Sequence, residues 1–86
     1  MAFNNVGQIV TLGPGQVFNW FFQFNGEDHG TQLATADVKP SGSGPQHVAF
    51  NFGKSKDGNG FVTYFVSIQN VGNEAGSHNL QGGGMS

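Results

Sequence analysis

Val17-Phe18-Asn19-Trp20-Phe21-Phe22-Gln23-Phe24 is the densest apolar stretch of the chain and holds its only tryptophan. Read at the two-residue period of an extended strand, it sets Phe18, Trp20, Phe22 and Phe24 on one face. Val17, Asn19, Phe21 and Gln23 fall on the other. Four aromatics on one pleated face require a core to enter, so the rest of the chain is expected to cover them.

Working outward, no segment repeats apolar residues at helical spacing, and the 15 glycines fall mostly between apolar runs, where they read as turns. Strands are expected over residues 6–12, 16–25, 31–38, 47–52, 61–71 and 77–81. In the first, Val6, Val10 and Leu12 share a face opposite Ile9. Gly13-Pro14-Gly15 is a tight corner, either a hairpin or a kink that carries the chain between sheets. The small alanines of residues 31–38 suit a site facing the large aromatics. Val48, Phe50 and Phe52 share one face of the fourth strand. Residues 53–60, with Asp57-Gly58 and Asn59-Gly60, are the strongest turn signal. Val62, Tyr64, Val66 and Ile68 form one face of the fifth strand, and Phe61, Thr63, Phe65, Ser67 and Gln69 the other. Residues 82–86 read as a flexible tail.

Short strands with a turn every eight to twelve residues point to an all-β fold. The expectation is a small antiparallel β-sandwich of six to seven strands, immunoglobulin-like or jelly-roll-like, forming a single domain over residues 1–86. A crossover helix, which a parallel sheet needs, is missing from the pattern. The expected core is Phe18, Trp20, Phe22, Phe24, Phe50, Phe52, Val62, Tyr64, Val66 and Ile68.

Composition narrows function. Charged residues are 9% of the chain, against roughly 25% in an average domain, and arginine is absent. Three lysines and a net charge of −2 argue against a nucleic-acid partner, which needs many phosphate contacts. With no cysteine, disulfides and thiolate chemistry are excluded. Residues 1–5 lack the basic and apolar regions of a signal peptide. No window approaches the ~20 apolar residues of a spanning helix, so a soluble chain without membrane insertion is expected, in a compartment the sequence does not specify.

Thr63-Tyr64-Phe65-Val66-Ser67-Ile68-Gln69-Asn70-Val71-Gly72 resembles the late strand and turn of immunoglobulin-like modules in bacterial surface proteins. In those modules an alternating Tyr/Val strand ends in Asn-x-Gly before the last strand. The resemblance covers residues 61–80 and lacks the cysteine pair of antibody domains. It implies a β-sandwich and a binding or spacer role, and it carries no site residues.

Among candidate sites, His29 beside Glu27 and Asp28 is the best zinc nucleus, without the spacing of a metal cage. Asp28 and Asp57 sit in glycine-rich loops that offer oxygen ligands to calcium, although Asp57-Gly58-Asn59-Gly60 reads first as a hairpin turn. No cofactor is expected otherwise. Ser, His and Asp occur without a nucleophile elbow, and five acids offer few pairs for glycoside hydrolysis, so an enzyme is not expected. The informative feature is the spare aromatics Phe21, Phe61 and Phe65 beside Asn19, Gln23 and Thr63. These six are a buried second core, a subunit interface or a platform for a ligand ring, with the interface favoured.

The resulting expectation is a non-enzymatic, lectin-like binding module that recognises neutral carbohydrate and forms a homo-oligomer. The alternative is a structural or assembly module whose aromatic face meets another copy without a small ligand. A third reading is a small hydrolase using Asp28, His29 and Asp57.

Overall fold

A computed structural model describes residues 3–42 and 44–84, the first three of them through their backbone. Seven strands follow one another: β1 (Phe3–Asn5), β2 (Val10–Leu12), β3 (Val17–Phe22), β4 (Gln32–Val38), β5 (His47–Lys56), β6 (Val62–Asn70) and β7 (Gly76–Gly84). All pairings are antiparallel. In sheet A, β7 is central, with β4 along one side and β1 and β2 end to end along the other. In sheet B, β6 lies between β3 and β5. The fold is an all-β sandwich, and no helix of the described residues is long and apolar enough to cross a membrane.

The core lies between the two central strands. Val62, Tyr64, Val66 and Ile68 of β6 are buried, and Leu80 of β7 meets them from sheet A. Phe22 stacks on Tyr64 at 5.4 Å and meets Phe52 edge-on at 6.4 Å. Ala34 and Ala36 of β4 pack against the same buried cluster as Phe18 and Trp20. Each buried Val, Ile or Leu side chain contributes about 1.5–3 kcal/mol over an exposed one, so these few positions dominate the stability of a short chain. Trp20 ties the sheets by a polar contact too, its Nε1 donating to the Val6 carbonyl at 2.9 Å.

Several expectations change. Residues 6–12 are not one strand: the ladder is interrupted between β1 and β2, although Ile9 does point away from Val10 and Leu12. The corner at residues 13–16 is a sheet change, taking the chain from β2 in sheet A to β3 in sheet B. β5 does not end at Phe52 but continues to Lys56, and the turn begins only at Asp57. Phe50 is not core. Between Phe50, opposite Ser67, and Gly53, opposite Phe65, both Asn51 and Phe52 face the single residue Val66. This β-bulge, with Asn51 at φ 53°, shifts the alternation by one residue. Phe52 therefore turns inward while Val48 and Phe50 stay outside.

The glycines of the expected tail are structural. Gly82 and Gly83 are buried in β7 between β1 and β4, and Gly84 is buried beside β4. A Cβ on Gly84 would lie 2.0 Å from the Thr31 carbonyl oxygen, so no side chain fits there. Met85 and Ser86 lie outside the described residues.

Candidate functional site

The outer face of sheet B is built from side chains that alternate away from the core. Strand register arranges them in rows across β3, β6 and β5. Val17, Gln69 and Val48 form one row; Asn19, Ser67 and Phe50 the next; Phe21, Phe65 and Gly53 the third. Phe21 is 65% exposed and Phe65 42%, so the second-core reading of this face does not hold. The glycine in the third row matters. A Cβ on Gly53 would stand 2.6 Å from the Phe65 ring, so the ring occupies space a side chain would take. The outcome is a cleft of about 630 Å³ whose walls include Phe21, Phe65, Asn19, Asn51 and Lys54.

The polar groups beside these rings are engaged with one another. The Ser67 hydroxyl donates to Asn19 Oδ1 at 2.6 Å, and Gln23 Nε2 donates to Thr63 Oγ1 at 3.0 Å. Gln69 Nε2 reaches the Gly15 carbonyl at 3.3 Å. Cross-strand bonds of this kind fix the rows and spend the acceptors on the protein itself. Of the six residues singled out in the sequence, Asn19, Phe21, Gln23, Thr63 and Phe65 share this face. Phe61 stands apart. It lies beyond the start of β6, its ring packed over Gly26, where a Cβ would come within 2.3 Å of it. Sequence reading missed Val48, Phe50 and Gly53, because the bulge that brings them here rests on one left-handed asparagine.

The two calcium candidates are engaged elsewhere. Lys54 Nζ and Lys56 Nζ bind the two oxygens of Asp28 at 2.9 and 3.1 Å, and Gly30 N donates to Asp28 Oδ1. The Lys54 ammonium first, then the Gly30 amide, hold the Asp28 carboxyl well below the usual carboxylate range. In return Asp28 pushes the Lys54 ammonium up. Asp57 Oδ1 accepts from the amides of Asn59 and Phe61 and closes its own turn. Both carboxylates act as turn residues. His29 does not join a metal cluster: its ring lies 4.3 Å from Phe24, and no group of three or more potential ligands occurs among the described residues. The Tyr64 hydroxyl anchors that loop, accepting from His29 N at 3.0 Å and donating to the Gly30 carbonyl at 2.8 Å.

At the opposite end of β5, two histidines distant in sequence meet. His47 and His78 are buried, one on each sheet, with Nδ1 atoms 2.9 Å apart and rings perpendicular. One ring donates and the other accepts, so the two take different tautomers. His47 Nε2 has no partner in either arrangement. Burial pushes both imidazoles below their usual range, and for His78 the neighbouring His47 adds to it. Nearby Asn70 is fully buried and fully satisfied. Its Nδ2 donates to the Leu12 and Glu74 carbonyls, and its Oδ1 accepts from Gly72 N. The Asn70-Val71-Gly72 motif is thus a clamp joining β6, the end of β2 and the turn into β7.

The chain was compared with protein-family models, with curated proteins and with solved structures, and no match was found in any of the three.

Proposed function

We propose that the chain is a non-enzymatic assembly module that self-associates, covering the outer face of sheet B with a second copy of itself. One observation carries this: the Phe21–Phe65 row is exposed, while the Ser67 hydroxyl and Asn19 Oδ1, and Gln23 Nε2 and the Thr63 hydroxyl, beside it are bonded to each other. A face on which several polar groups are already paired with one another gains by excluding water from its rings. Scarce charge supports a like partner, since two copies at net charge −2 repel each other weakly. Sedimentation velocity from micromolar to millimolar concentration tests the reading. The expected result is reversible association that Phe21→Lys abolishes while leaving thermal stability unchanged. A strict monomer across that range overturns it.

The cleft favours a second reading, recognition of a neutral carbohydrate. A sugar ring would lie on Phe65, with Asn51, Lys54 and the free Nδ2 of Asn19 as donors to its hydroxyls. Trp20 also lines this cleft and supplies the signal. Glycan-array binding confirmed by a change in Trp20 fluorescence is the expected result. No response to any neutral glycan at millimolar concentration removes this reading and leaves the first intact.

A further inference from the structure

The sandwich has four sheet edges, and three of them are guarded. The first edge of sheet A is split into β1 and β2, each three residues long, which offers no continuous template. Its other edge, β4, lies against β5. β5 itself carries the bulge at Asn51 and the lysines Lys54 and Lys56. Bulges and lysines are the usual means of blunting an edge. β3 has none of these. It is straight through Val17–Phe22, uncharged and free of proline and glycine, and it pairs only with β6.

The direction of its backbone groups follows from the ladder. Asn70 N donates to the Gln16 carbonyl, so that carbonyl points toward β6, while the Asn70 carbonyl accepts from Gly15 N. Antiparallel pairs alternate, so Phe18, Trp20 and Phe22 turn their N–H and C=O toward β6. The N–H and C=O of Val17, Asn19 and Phe21 then point to the open side. No backbone bond from elsewhere in the described residues reaches them. Residues 6–8 meet β3 at its inward-facing side chains: Val6 accepts from Trp20 Nε1 and packs against the cluster of Phe22, and Gly7 and Gln8 lie beside Phe18 and Trp20.

We infer that β3 pairs antiparallel with β3 of a second copy about a two-fold axis at Asn19, merging the two B sheets into one continuous sheet. This rests on the self-association proposed above and adds a second contact to it, at the sheet edge, which leaves the enlarged outer face open to a further copy. The occupant is a second copy because an uncharged strand of this kind complements itself under two-fold symmetry. The register is set by using every open group. With Asn19 opposite Asn19 of the partner subunit, Val17 faces Phe21 of the partner subunit, and all three residues bond on both sides. A shift of two residues leaves some of these groups unpaired.

The outer face is too small to hold two copies together by itself, so a further contact is needed. Three strands spaced about 4.8 Å, over the roughly 23 Å occupied by Val17 to Gln23, give one copy a flat footprint of about 330 Å². A stable interface needs about 800 Å² per partner, so one face alone falls short. Edge pairing doubles the continuous apolar face and adds main-chain bonds.

Residue-resolved amide hydrogen exchange at low and high concentration tests the pairing. The expected result is that amides of Val17, Asn19 and Phe21 exchange at least about 100-fold more slowly in the associated state. Those of Phe18, Trp20 and Phe22 are protected at every concentration. Association with Val17, Asn19 and Phe21 still exchanging at the monomer rate overturns edge pairing while the outer-face reading stands. A monomer at all concentrations overturns both. Val17→Pro removes an open N–H without breaking a bond to β6, and is expected to weaken association at least about tenfold with the fold retained. Unchanged association in this variant counts against the edge.

Discussion

Lowering the pH from 7.5 to 5.5 is expected to destabilise the protein through the His47–His78 pair. Both rings are buried and both are pushed below the ordinary imidazole range, so the unfolded chain binds more protons than the native one in this window. Stability is therefore complete above the unfolded pKa of about 6.5 and is lost as the pH falls from there toward the folded values. The unfolded pKa of about 6.5 sets a ceiling on the loss at pH 5.5 of about 1.4 kcal/mol for one ring and about 2.7 kcal/mol for both, reached when the buried rings stay fully neutral. A domain of 86 residues has a total stability of about 4–13 kcal/mol, so the fraction lost is large. In melting temperature, that ceiling for both corresponds to a fall of about 10–20 °C. Thermal and guanidinium unfolding followed at Trp20 would measure it. Asp28 does not confuse the window: with its pKa lowered, its contribution is fully present above about pH 4 and is lost only below that. The control is the double substitution His47→Leu with His78→Leu, which removes both partners together and should flatten the profile. A wild-type stability constant between pH 7.5 and 5.5, or an equal slope in the double variant, would refute the reasoning.

Other outcomes follow from single contacts. Asn70→Ala breaks three bonds inside the clamp and is expected to lower stability by about 2–4 kcal/mol in guanidinium titration, with no effect on exposed surface. Deleting residues 82–86 should lower the melting temperature sharply, because Gly82, Gly83 and Gly84 are ladder residues; a neutral deletion would restore the tail reading. Lys56→Ala removes an exposed ion pair and should change stability by less than about 1 kcal/mol. Gly53→Val should displace the Phe65 ring and weaken self-association, read by sedimentation, while unfolding shifts little.

The parts of the fold legible in the sequence were those governed by strict alternation. Val62, Tyr64, Val66 and Ile68 announce a buried face because each step of two meets another large apolar side chain. The outer face containing Asn19, Phe21, Gln23, Thr63 and Phe65 follows from the same rule. Alternation fails where a single residue changes the count. Asn51 does so in β5, and Phe50 was assigned inward as a result. The Phe-Asn-Phe-Gly sequence carried a hint, since asparagine tolerates positive φ better than most residues. The glycines of β7 misled for a different reason: glycine marks turns, yet here it marks backbones too close for a side chain. The histidine pair was invisible, since His47 and His78 lie in different sheets and only the packing of one sheet on the other brings them together.

The position of β7 has a kinetic consequence. It is central to sheet A and follows in sequence every strand it pairs with, and its pairing of Phe3 with Gly83 spans nearly the whole domain. Contacts this distant make folding slow. During synthesis β3, β5 and β6 are available before β7, so sheet B can assemble while its inner aromatic face still lacks a lid. A ribosome-bound chain therefore carries Phe18, Trp20 and Phe22 uncovered until the last strand emerges. In that interval the same β3 edge is open to any neighbouring nascent chain, so the domain is most prone to mispairing just before it is complete.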